Sequence, residues 1–127
     1  MTKTSEDTVP MGMETRIELD PNNPQKGKIY FILNVANDTG HKWNNLATAP
    51  EIVLNAVSGI KLDKELLKTG DREGAEDTDN RVLSVGFTLE SGSNEIKFEV
   101  TPQAWICNDG LGWCRYFDAT YEVEGKF

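Results

Sequence analysis

Two cysteines, Cys107 and Cys114, are the residues whose type and spacing point most directly to chemistry. Between them lie Asn108-Asp109-Gly110-Leu111-Gly112-Trp113, and two glycines with an Asn-Asp pair let a backbone reverse direction. Residues facing each other across the resulting antiparallel pair sit ~4.5–5.5 Å apart. Disulfide-bonded Cα atoms usually lie ~4.4–6.8 Å apart, so a bridge is expected. As a staple, closing so short a loop restricts the unfolded chain by about 2.5 kcal/mol. As a redox pair, the same bond exchanges with a partner's thiols wherever an incoming thiolate reaches a sulfur. Arg115 is the neighbouring cation for that role, while Asp109 and Asp118 oppose thiolate formation. Two reduced, buried thiols are the third arrangement.

The flanking segments must place these sulfurs. Apolar residues recur with period two from residue 14 onward, the mark of half-buried strands. Strands are expected over 14–20, 28–36, 51–57, 60–67, 81–90, 95–100 and 113–124, with residues 63–68 also able to close a helical turn. The run 28–36 is the most apolar and reads as a central strand, with Ile29, Phe31, Leu33 and Val35 on one face. Ile96, Phe98 and Val100 point inward on one side of the hairpin, and Phe117, Ala119, Tyr121 and Val123 on the other. Both counts put Cys107 and Cys114 on the outward face, unless Pro102 marks a bulge and shifts the first by one.

About seven strands with turn signals every ~8–12 residues specify an all-β fold, an immunoglobulin-like antiparallel β-sandwich. A chain of 127 residues suits one domain, expected over 14–127, preceded by a polar, aperiodic lead over 1–13 that is expected to be disordered. Residues 41–50 and the acidic stretch 70–80 are expected to be loops.

The chain carries 13 Lys and Arg against 21 Asp and Glu, a net charge of -8, which argues against nucleic acid and anionic membrane partners. No apolar run is long enough for a spanning helix, so membrane insertion is not expected. One histidine and two cysteines cannot supply a four-ligand Cys/His zinc site, and a Ser-His-Asp triad would have to use His41. No cofactor and no metal are expected. His41 with Met11 and Met13 is a thin basis for a soft-metal site. Asp71, Glu73, Glu76, Asp77 and Asp79 could offer oxygens to calcium, but their spacing is not that of an EF-hand, and such runs are ordinarily solvated. Trp43, Trp105 and Trp113 are either core and disulfide packing or an aromatic platform for a sugar ring or a protein partner.

A late cysteine hairpin in a small sandwich, with Gly40-His41-Lys42-Trp43-Asn44 followed by Ala49-Pro50, resembles two related groups of β domains. One is the N-terminal periplasmic domain of the thiol–disulfide interchange protein DsbD. The other is the C-terminal β domain of NHL-repeat, thioredoxin-like proteins. The first resemblance implies that Cys107 and Cys114 exchange electrons with a thioredoxin-like partner; the second implies a domain without assigned chemistry. The leading expectation is a non-catalytic interaction or accessory module held by a hairpin disulfide. A thiol–disulfide exchange domain and a carbohydrate-binding module are the alternatives. A disulfide requires an oxidising compartment, so a periplasmic or secreted location is expected.

Overall fold

The structure, a computed structural model, describes residues 9–127 and the backbone of Thr2–Lys3. Twelve strands are formed among these: β1 (Thr2–Lys3), β2 (Met11–Asp20), β3 (Asn23–Val35), β4 (His41–Asn44), β5 (Glu51–Ser58), β6 (Ile60–Leu62), β7 (Leu66–Lys68), β8 (Glu76–Asp77), β9 (Arg81–Leu89), β10 (Glu95–Asn108), β11 (Trp113–Asp118) and β12 (Tyr121–Lys126). One antiparallel sheet runs β2-β3-β9-β6. The other is organised around β10, which pairs with β12 and β11 along its length and with β5 and β4 as well; β7, β8 and β1 extend it.

The two sheets enclose one core, as the alternation requires. Ile29, Phe31, Leu33 and Val35 of β3 face Ile96, Phe98 and Val100 of β10, and Phe31 meets Phe98 edge to face at 6.4 Å. Leu83, Val85, Phe87 and Leu89 of β9 complete the layer. Each such side chain contributes roughly 1.5–3 kcal/mol by leaving water. The all-β, two-sheet sandwich therefore agrees with the sequence reading.

The boundaries differ in several places, β10 running on to Asn108 and β3 starting back at Asn23 among them. The lead was expected to run to residue 13, yet β2 begins at Met11, whose side chain is buried and paired with Val35; Met13 pairs with Leu33. These apolar partners draw the strand back by three residues. Thr2–Lys3, also in that lead, pair as β1 with β12, and the rest of the expectation, over 1 and 4–8, lies outside the described residues. Residues 41–50 were expected as a loop, but His41–Asn44 form β4, because Trp43 buries against the sheet opposite Ile106. The expected strand over 60–67 splits. Gly59 (φ 74°) turns the chain from β5 in one sheet to β6 in the other, and β7 then returns to pair with β5. The last expected strand breaks at Ala119-Thr120 into β11 and β12.

Pro102 introduces no bulge. It is buried in phase with Val100 and Ala104, opposite Ile52, and falls where the neighbour of β10 changes from β12 to β11. The ladder is already interrupted there, so a residue without an N–H is tolerated within a central strand.

Candidate functional site

The hairpin β10–β11 is closed by the turn Asp109-Gly110-Leu111-Gly112, with Asn108 opposite Trp113. Gly112 adopts φ 73°, which a side chain would oppose. Asn108 is buried and ties the turn to the segment that precedes β4. Its Oδ1 accepts from the Leu111 N–H at 3.0 Å, and its Nδ2 donates to the Thr39 carbonyl at 3.1 Å. Cys107 and Cys114 are directly opposite, with Cα atoms 3.9 Å apart, and are joined by a disulfide.

Register fixes what surrounds the bond. Trp105 opposite Tyr116 and Cys107 opposite both Cys114 and Lys42 share the outer face of the sheet. Both cysteines thus leave the core face, as the parity count requires, but the exposure of the two residues is unequal. Cys107 is 3% exposed, whereas Cys114 is exposed. The cation opposite Cys107 on this face is Lys42, whose Nζ lies 3.4 Å from Asp109 Oδ2. Arg115, the cation expected beside the sulfurs, points to the other face, where its guanidinium stacks 4.8 Å from the Trp113 ring centre. Sequence distance misled here: Arg115 is adjacent to Cys114 but alternation turns it away, and Lys42 arrives from β4, which the sequence did not mark as a strand.

The three tryptophans part ways. Trp43 is fully buried; its indole N–H donates to the Asp79 carbonyl at 2.8 Å. This overturns its candidacy as a binding residue, since no ligand reaches a side chain with no exposed surface. Trp105 is 37% exposed and tilted against Tyr116, ring centres 5.6 Å apart. Burial first, then the charges of Asp118 and Glu51, hold the Tyr116 phenol above its ordinary pKa, so it stays neutral at physiological pH. Trp113 is half-buried between His41 at 5.5 Å and Phe117 at 5.7 Å. Trp43, Trp105 and Trp113 therefore do not form one platform. Two aromatic surfaces flank the hairpin instead, Trp105–Tyr116 on the outer face and His41–Trp113–Phe117 on the inner.

The acidic stretch is built into the fold at one point. Glu76–Asp77 form β8 against Trp43 and Asn44. Asp77 binds Arg81 through both oxygens, Oδ1 to Nη1 at 2.8 Å and Oδ2 to Nη2 at 2.9 Å, and accepts from Asn45 Nδ2 at 2.8 Å. Its oxygens are thereby committed to a protein cation. Met11 is buried in the core, which removes it from any ligand set with His41. Arg81 was missed as a structural residue, although a signal existed: it is in phase with Leu83, Val85 and Phe87, and a charge on the core side of a strand demands a partner.

No family model matches this chain, and no curated protein matches it. The solved crystal structure of a FixG-related protein from Vibrio parahaemolyticus is similar over 90% of this chain and 96% of that one, at 7% identity and a TM-score of 0.41.

The disulfide's contribution is measurable directly. Replacing both Cys107 and Cys114 with serine is expected to lower stability by about 2.5 kcal/mol in urea unfolding under non-reducing conditions. Dithiothreitol should shift the wild-type midpoint toward that of the double variant and leave the double variant unmoved. An unchanged midpoint in the double variant would show that the bond restrains nothing.

Proposed function

We propose that the chain is a non-catalytic interaction module that presents the disulfide-closed β10–β11 hairpin to a protein partner. The observation carrying this reading is the exposed Trp105–Tyr116 pair seated beside the Cys107–Cys114 bond on the outer face. Large aromatics on a rigid support lose little conformational entropy on binding and commonly anchor interfaces. The acids near this pair, Asp118 and Glu51, favour a partner that brings lysine or arginine to the rim. The disulfide supports residence in an oxidising compartment, hence export.

The test compares wild type with W105A/Y116A. The immobilised wild type is expected to capture a partner from extracts of the source cells, and the purified partner to bind it directly. The double variant is expected to bind at least tenfold more weakly, roughly the loss of one anchor of ~1.4 kcal/mol or more. Matching melting temperatures would assign the loss to the surface. Equal binding by the two proteins would refute the reading.

The unequal exposure of the two cysteines favours one second reading, thiol–disulfide exchange with a thioredoxin-like partner. A partner thiolate would attack the sulfur of Cys114, the more exposed residue, forming the mixed disulfide and releasing Cys107 as thiolate opposite Lys42. The partner's second thiolate would then attack the partner's own sulfur in the mixed disulfide, releasing Cys114 as thiolate and leaving the partner oxidised and the Cys107–Cys114 pair reduced. A reduction potential above about -300 mV in glutathione titration would support exchange, and a lower one the staple.

A further inference from the structure

The inner face of the hairpin closes a second, separate feature. A cleft of about 360 Å³ lies between β11 and the segment entering β2. Val9, Pro10 and Ala36 supply carbon on one side, Trp113 and Phe117 on the other. This volume falls in the range of small-molecule sites, which are largely apolar with a few placed polar groups. The His41 ring completes the aromatic lining and is held in place, its Nδ1 at 2.8 Å from Thr39 Oγ1 and 3.2 Å from the Ala36 carbonyl. Because Trp113 is fixed between His41 and Phe117, the walls are formed before any ligand arrives.

Among the described residues, the charge lining this cleft is opposite to that of the chain. The sequence has 21 acids and a net charge of -8, yet no Asp or Glu lines the cleft among the described residues. The charged group present is Arg115, whose guanidinium lies over Trp113 and forms no ion pair among the described residues. A stacked guanidinium keeps its edge donors free for a carboxylate, which it can bind through two parallel hydrogen bonds. We propose that this cleft binds a small apolar anion, specifically a carboxylate carried on an aromatic ring. The ring lies against Trp113 and Phe117, and the carboxylate meets Arg115.

Isothermal titration of the full chain with naphthoate and with its neutral counterpart naphthamide tests this. Naphthoate is expected to bind at one saturable site, and naphthamide at least tenfold more weakly, the scale of one charge-assisted hydrogen bond. Arg115→Gln should bring naphthoate down to the affinity of naphthamide while leaving naphthamide within about twofold. Arg115→Lys should keep part of the preference for the anion. Phe117→Ala should weaken both ligands, and Trp105→Ala, on the other face, neither. Should F117A fail to fold, the R115Q comparison still decides. Absence of saturable binding, equal affinities for the two ligands, or an R115Q protein that discriminates like wild type would overturn the proposal.

Discussion

Replacing Arg81 with alanine is expected to cost the fold about 3–5 kcal/mol, because it strands a partly buried carboxylate without its cation. Arg81 is 1% exposed and has three roles at once. It binds both oxygens of Asp77, donates to the Asp79 carbonyl at 2.7 Å, and lies 5.7 Å from the Trp43 ring centre. Domains of this size are stable by only about 5–15 kcal/mol, so urea unfolding should show a large fall in midpoint. The variant also changes the response to acid. The Arg81 guanidinium, followed by Asn45 and the Asp79 N–H, holds the Asp77 carboxyl well below the usual carboxylate range. The unfolded chain keeps an ordinary value near ~3.9, so between the two values the unfolded state binds more protons. The stabilisation is therefore complete above about pH 5 and is lost as pH falls below ~4 toward the folded value. Wild type should lose stability along that limb, and R81A should show a flatter one. Equal midpoints at neutral pH would mean that the pair contributes nothing net, and the electrostatic account would fall.

How far the fold was legible follows from the physics of alternation. Period two is a local property, so β3, β9 and the first half of β10 could be read with their faces correct: Phe31, Phe87 and Phe98 are all buried as expected. The hairpin was legible too, because Asn108, Gly110 and Gly112 act within a few residues of the turn they make. Short strands were not legible. β4, β7 and β8 have two to four residues each, too few to show a period, and exist because a long neighbour offers them hydrogen bonds. The candidate site was legible in proportion. The disulfide and its outward face were set by register along β10 and β11. The identity of the cation beside it, Lys42, depended on β4 docking from more than sixty residues away in sequence. The inner cleft depended on the same docking, since His41 is on β4 and Val9 precedes β2. A single sequence gives no local signal for such convergence.

Trp43 shows what that missing information costs, and it yields the second large effect. From sequence it was an equal of Trp105 and Trp113 as a ligand platform; in the fold it is a core residue on β4 that meets β8, the Asp79 carbonyl and Arg81 of β9. Trp43→Ala is expected to lower stability by about 3–5 kcal/mol, through lost apolar burial and the cavity left behind. Trp43→Phe should cost less. It keeps a ring beside Arg81, and the Asp79 carbonyl, which loses the indole donor, still accepts from Arg81. Because Trp43 and Arg81 share that acceptor and touch each other, their effects should not add. A double-mutant cycle of W43F with R81A should give a coupling of roughly 0.5–3 kcal/mol. The contrast with the surface is the decisive measurement. Trp105→Ala should shift the urea midpoint far less than Trp43→Ala, because Trp105 already stands partly in water. Were W43A to unfold at the wild-type midpoint, Trp43 would not be the packed residue described, and the joining of β4 and β8 to the central sheet would have to be redrawn.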